Sequence, residues 1–179
     1  ITLDGEYKQG GFNGKIALDD PNGSIYLNGD VNVASKVPTF NFLAVVNKVR
    51  PHDLNLTTKY PDAEFSLKLK ANFTGGSVDE MIGEINVDSL EFMSPEKQYF
   101  MNNMNIRASK QNNENQLRLT SEFLTASVEG KFQYHTLPAS ILNIMRKYVP
   151  SLILPPKKPI ETHNNFQFDI HTVSYTHLR

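Results

Sequence analysis

The sequence predicts a mainly β protein built from a long antiparallel sheet with a single helix. In residues 64–73 apolar and polar side chains alternate, and a period of two indicates a strand with one dry face and one wet face. The same pattern returns about ten times along the chain. Only residues 138–149 carry the spacing of an amphipathic helix. Helix is therefore too scarce to cover the predicted sheet.

The first three predicted strands are short and separated by turns. They are defined by alternating apolar residues at Ile1 to Tyr7, Phe12 to Leu18 and Ile25 to Val33. Between the second and third lies the motif DPNG at residues 20–23. Pro21 has the φ that the second residue of a type I turn requires, and Asp20 can bond the turn backbone. This segment therefore predicts a β-hairpin.

The middle of the chain is predicted to continue the sheet after a break at residues 36–38. Further strands are expected at Phe40 to Val46, Leu54 to Leu56 and residues 64–73. Gly75 and Gly76 interrupt the pattern. Ser77, with Glu80 three residues later, predicts the capping box of a one-turn helix. Met81 and Ile82 would form the inward side of that helix.

The next strands are predicted with one irregularity. Ile85 and Val87 change phase to Leu90 and Phe92, which predicts a β-bulge. Strands are then expected at Met104 to Ala108, Leu117 to Phe123 and Ala126 to Tyr134, after a turn at 94–97 and with an exposed loop at 110–116. Glycines at strand positions are expected to mark bends or bulges, namely Gly5, Gly14, Gly29, Gly83 and Gly130.

The helix is predicted between Pro138, which suits a first helical position, and Pro150, which ends it. Its apolar stripe contains Ile141, Leu142, Met145, Tyr148, Val149 and Leu152. A link rich in Pro and Lys at residues 155–159 then leads to a last strand that carries Phe166, Phe168 and Ile170. Roughly forty inward apolar positions on strands remain for one helix to cover. The apolar face must pack on itself as a sandwich or barrel, contact lipid tails, or line a groove.

Composition and motifs argue against several classes of function. The formal net charge of −1 gives no basis for binding nucleic acid, and the absence of Cys excludes disulfides and thiolate zinc sites. The five histidines lack the spacing of a metal-binding pair, and no nucleophile elbow or phosphate-binding loop occurs. Asp79 and Glu80 are interpreted as the acidic first turn of the short helix. The sequence therefore predicts no enzyme, no metal site and no cofactor.

Residues 1–171 are predicted to form one β-domain that is incomplete at both ends, because Ile1 already lies within the alternating pattern. Residues 172–179 are expected to be a non-native tail. Its sequence VSYTHLR, from Val173 to Arg179, resembles translated sequencing-adaptor tails.

Several stretches of residues 1–171 carry a family resemblance. They are GKIALDDPNGSIYLNGDVNV with PTFNFLAVVNKV, GGSVDEMIGEINVDSLEF with YFMNNMNIRAS, and LTASVEGKFQYHTLPASILNIMRKYVPSL with HNNFQFDI. In this order they resemble the C-terminal region of TamB-like proteins of Bacteroidota, within the AsmA-like superfamily. The resemblance covers most of residues 1–171.

The resemblance implies a long, curved, taco-shaped antiparallel sheet with an open apolar groove. Such proteins are anchored in the inner membrane and cross the periplasm. They serve outer-membrane biogenesis by passing phospholipids along the groove, or by assisting outer-membrane protein assembly with a barrel-assembly partner. Phospholipid acyl chains are thus the expected ligand, and such a partner would meet regions absent from this chain. The expected groove lining is Phe40, Phe42, Phe65, Leu67, Leu69, Phe73, Leu117, Leu119, Val128 and Phe132.

Two other architectures are compatible with the alternation. A transmembrane β-barrel also alternates over strands of about ten residues, although the absence of Trp and of clear aromatic girdles disfavours it. A soluble β-sandwich used for adhesion or binding would close its apolar faces on each other. For each lining residue, the alternative is an ordinary role in the core of the sheet.

Overall fold

The structure is a computed structural model that describes residues 1–55, 57–58, 60–148 and 163–172. It contains one open sheet of ten strands, in which every strand pairs antiparallel with the next one along the chain. The elements are β1 (Thr2–Lys8), β2 (Gly11–Asp20), β3 (Gly23–Asn32), β4 (Thr39–Val49), β5 (Glu64–Thr74), a 3-10 turn (Val78–Glu80), β6 (Ile82–Met93), β7 (Gln98–Gln111), β8 (Glu114–Thr120), β9 (Leu124–Lys131), α1 (Leu137–Tyr148) and β10 (Asn165–Thr172). The predicted mainly β class with one helix is confirmed.

The edges of the sheet are β1 and β10, which are not paired with each other. Every residue of β1 is exposed, and so are most residues of β10. Within the described part of the chain no second sheet packs on either face. The sheet is therefore a single open layer.

The predicted hairpin between β2 and β3 is confirmed. Asp20 pairs with Gly23 across a two-residue loop, and the Asn22 backbone N–H donates to Asp20 Oδ1 over 2.9 Å. The turn at residues 94–97 is also confirmed, because the Ser94 backbone N–H donates to the Lys97 carbonyl over 2.8 Å.

The β-bulge predicted in β6 is confirmed: Asp88 is the extra residue where the register against β5 shifts. A second shift lies in β4, between Val46 and Val49, where Lys48 has a φ of 46°. Of the bends or bulges expected at strand glycines, the bulges do not occur, because the register runs unbroken through Gly5, Gly14, Gly29, Gly83 and Gly130.

Two connections differ from the prediction. The strand expected at Leu54 to Leu56 is wrong, since residues 51–55 form turns in which the Leu54 N–H donates to the Arg50 carbonyl over 3.2 Å; Leu56 lies outside the described residues. The long loop expected at 110–116 is instead a two-residue turn of Asn112 and Asn113, both with positive φ. The polar side chains of this region belong to paired strands.

The predicted one-turn helix occurs as the 3-10 turn, but its capping box does not form. Ser77 makes no side-chain hydrogen bond to the turn, whose Glu80 N–H donates to the Ser77 backbone carbonyl over 3.1 Å. Ile82 does not face inward as expected: it opens β6 and is 44% exposed.

The helix prediction is confirmed in extent and corrected in orientation. Leu137 and Ser140 are buried, and Ile141 packs against the core cluster. Leu142 and Met145, which were expected on the inward stripe, are each 42% exposed. Val149, Leu152, the link at 155–159 and the tail beyond Thr172 lie outside the described residues.

Candidate functional site

The apolar face of the sheet is continuous across all ten strands. Two adjacent rows of directly paired residues cross it without a charged side chain. One row is Gly5, Gly14, Gly29, Phe42, Ala71, Ile85, Ile106, Leu119, Ala126 and Ile170; the other is Tyr7, Phe12, Val31, Phe40, Phe73, Gly83, Ala108, Leu117, Val128 and Phe168. At about 4.8 Å between strands, each row is about 43 Å long.

The expected lining residues share this face. Phe65, Leu67 and Leu69 continue it on β5, where they pair with Val49, Val46 and Ala44 of β4. Phe132 follows β9 and packs against Val128. Val128 and Phe132 are buried, and the other expected lining residues are half-buried. Apart from Phe132, the large side chains of the lining thus remain in contact with solvent.

The opposite face carries a polar row that crosses all ten strands. The neighbouring row on that side is Glu6, Asn13, Asp30, Asn41, Asn72, Glu84, Arg107, Arg118, Ser127 and Asp169. At its centre, Glu84 accepts hydrogen bonds from Asn86 (3.0 Å), Asn105 (2.6 Å) and Arg107 (2.8 Å). The bonds from Asn86, Arg107 and Asn105 hold the pKa of Glu84 below its usual value. The central rows of the two faces therefore differ in chemistry, uncharged on one side and polar on the other.

A hollow lies on the apolar face of β2 and β3, where glycines replace side chains; we call it the glycine trough. Its volume is about 200 Å³, and it is lined by Phe12, Gly14, Ile16, Leu27, Asn28, Gly29, Val31 and Phe42. The rows beside the glycines form its walls, and Phe42 ends it where side chains resume. Sequence reasoning missed this site, although glycine at paired inward positions on consecutive strands was the signal.

Aromatic rings line the face on both sides of the sheet centre. Phe40 stacks on Phe73 with ring centroids 4.7 Å apart, and Phe42 meets the edge of Phe73 at 6.5 Å. On β6, opposite the other end of β5, Phe92 contacts Tyr60 at 5.7 Å and Tyr99 of β7 at 6.2 Å. These contacts hold the aromatic rings in defined orientations on the apolar surface.

Residues 133–141, which we call the cap segment, cover the apolar face at one end of β8 to β10. Tyr134, Leu137 and Ile141 pack on the cluster that contains Leu117, Val128, Phe132 and Phe166. On one side, Asn164 accepts from the Gln133 backbone N–H over 3.1 Å and donates to Thr136 and Ser140 over 3.0 and 2.8 Å. The segment closes a part of the face that the strands alone would leave open.

On its other side the cap segment is held by Asp79, in the 3-10 turn between β5 and β6. Asp79 Oδ1 accepts from the His135 backbone N–H over 3.1 Å, and Oδ2 lies 2.6 Å from His135 Nδ1. Partial burial acts to raise the pKa of Asp79, but the bonds from His135 outweigh it and leave this pKa below 3.8. As the sequence predicts, Asp79 is an acidic residue in the first turn of the short helix, and it also joins two distant connections.

The described residues contain no group of three or more His, Asp or Glu side chains placed to hold a metal ion. No helix in the described ranges is both long and apolar enough to cross a bilayer. No known protein family model, curated protein or solved structure matches this chain.

Proposed function

We propose that this chain is a segment of a periplasm-spanning envelope protein that holds phospholipid acyl chains on the apolar face of its sheet. The observation that carries the proposal is the pair of uncharged rows crossing all ten strands, opposed by a fully polar row on the other side. Soluble proteins rarely leave so large an apolar surface uncovered unless it binds something. The resemblance to TamB-like proteins supports the envelope location and the lipid.

Within this proposal, the glycine trough is the binding site for one acyl chain. It is one residue row wide and runs across the strands, so it matches a linear chain in shape. Its volume of about 200 Å³ is room for roughly six groups of the size of a water molecule. Burying about six methylenes contributes about 5 kcal/mol before the costs of ordering the lipid. A binding free energy of this size is small enough for an acyl chain to move on to neighbouring positions.

The uncharged rows give that chain a path. They continue from the trough past Phe42 and Ala71 to Ile85 without a polar interruption. Neither the rows nor the trough presents a charged side chain, so headgroups would remain in water at the rim of the face. In this proposal the protein acts by solvation and no residue performs covalent chemistry.

Site-specific photo-crosslinking in a diderm bacterial host, with export to the periplasm, tests the proposal. Probes at Leu69 and Leu119 face the apolar side, and probes at the adjacent Lys70 and Arg118 face the polar side and are exposed. These neighbours are matched controls because only the direction of the side chain differs. Lys68 is a poorer control, since its ammonium group lies 3.3 Å from Asp88.

We expect mass spectrometry to find phospholipid adducts predominantly at Leu69 and Leu119. Equal yields of lipid at inward and outward positions would refute the proposal. Adducts with unfolded outer-membrane proteins in place of lipid would also refute it, and would favour the role in outer-membrane protein assembly that the resemblance implies.

A further inference from the structure

The cap segment is attached to the sheet in an asymmetric way. On the β10 side it is bound through Asn164, which lies directly before the strand that pairs with β9. On the opposite side it is bound by Asp79, which belongs to a turn 56 residues away along the chain. One side is thus held by a residue that adjoins the sheet, and the other by the contact between Asp79 and His135, which we call the latch.

The latch is lightly built. Asp79 lies in a 3-10 turn of three residues without a side-chain cap, and neighbouring Val78 is 61% exposed. The His135 side chain is itself 57% exposed. A solvent-accessible hydrogen bond made by an element with few buried contacts breaks at low free-energy cost. The contact is therefore well placed to break without unfolding the strands.

The closed position also carries a cost. The Tyr134 hydroxyl is buried and has no hydrogen-bond partner among the described residues. Burial, and secondarily the charge of Asp79, raise the pKa of Tyr134. A buried hydroxyl without a partner disfavours the state that buries it, and opening the cap segment would return it to water.

What the cap segment covers is a continuation of the open face. Leu117 and Val128 lie in the same uncharged row as Phe40 and Phe73. We propose that the cap segment is a lid over Leu117, Val128 and Phe166, and that the contact between Asp79 and His135 keeps it closed. Release of this contact extends the apolar surface toward β10.

The consequence for acyl chains rests on the proposed function, whereas the lid itself can be tested without lipid. The chain contains no Cys, so a single introduced thiol reports on one position. Val128→Cys places the thiol beneath the cap segment, at a residue that is 8% exposed. Val87→Cys is the matched control, because Val87 is 5% exposed on the same face but lies outside the cluster under the cap segment.

Thiol labelling rates are measured in lipid-free protein, with and without Asp79→Asn or His135→Ala. We expect either change to accelerate labelling at position 128 about fivefold, the effect of losing one partly exposed hydrogen bond from the closed state. Labelling at position 87 should not change. In His135→Asn the amide N–H can take the place of Nδ1 and keep the hydrogen bond to Asp79. In this variant the thiol at position 128 should therefore react as slowly as in the parent protein.

An unchanged rate at position 128 would overturn the lid, and so would equal acceleration at both positions, which indicates general loosening of the sheet. Fast labelling with His135→Asn would overturn the assignment of the latch to this hydrogen bond. Failure of lipid crosslinking at Leu69 and Leu119 would instead defeat the proposed function and leave the lid intact.

Discussion

Gly29, at the centre of the glycine trough, should not tolerate even a methyl group. Its φ is +153°, in a range that L side chains rarely adopt. A Cβ there would overlap the backbone oxygen of Asn41 and lie 2.6 Å from the Cα of Phe42. Both obstacles are backbone atoms of the paired strand β4, which cannot rotate away. Gly29→Ala must therefore push β3 and β4 apart.

The magnitude follows from three terms. Forcing a side chain into this backbone conformation costs about 1–3 kcal/mol, and overpacking against β4 costs about another 1–3 kcal/mol. The lower entropy of the unfolded chain with Ala returns about 0.4–1 kcal/mol. We expect a net loss of roughly 2–4 kcal/mol in the free energy of unfolding, a large share of the 5–15 kcal/mol typical of a domain.

Urea denaturation followed by circular dichroism measures this loss. Gly11→Ala is the matched control: Gly11 also lies in a strand, and a Cβ there would meet no atom closer than 3.4 Å. It should unfold within about 0.5 kcal/mol of the parent protein. If Gly29→Ala were as stable as Gly11→Ala, the close approach of β3 and β4 that forms the trough would be refuted.

Two further predictions concern the cap segment. Leu137→Ala should cost about 2–4 kcal/mol in the free energy of unfolding, because Leu137 is 4% exposed. Leu142→Ala, on the exposed side of α1, should cost less than about 1 kcal/mol. Equal losses of stability in urea titrations would contradict the observed orientation of the helix. The pKa of Asp79 is held below 3.8, so its contribution to stability is fully present above pH 3.8 and is lost as the pH falls through the lower pKa of the folded state. Asp79→Asn should therefore flatten the acid limb of stability measured against pH, and an unchanged acid limb would argue against the contact with His135.

The sheet was predictable because its strands and turns are determined by residues that are close together in the sequence. Alternation assigns each residue of a strand to a face, and a short turn such as Pro21-Asn22 then fixes which residues pair. Phase changes were equally readable, as the bulge at Asp88 shows. The error at residues 110–116 was also one of local reading: Asn112-Asn113 suits a tight turn with positive φ at both positions, but the polar flanks concealed it.

The candidate site was predictable only in part. The face of each lining residue follows from alternation, but the trough depends on Gly14 and Gly29 standing opposite each other and beside Phe42, which requires the register of three strands. The contact of Asp79 with His135 depends on the distance in space between two connections that are far apart in the sequence, which alternation does not specify. The inward side of α1 likewise cannot be chosen until the position of the sheet beneath it is known, since Ile141 and Leu142 are equally apolar.

The same open face explains both how this protein folds and what it could hold. Its most buried central residues are small, Ala44, Ala71, Val87 and Ala108, whereas the aromatic rings above them stay half-exposed. Small residues at the centre let neighbouring side chains cover them, so the layer stabilises itself without a second sheet. The larger side chains then retain apolar surface that only an occupant can remove from water. Because an apolar chain bound there would also stabilise the folded sheet by mass action, binding and stability are coupled on this face.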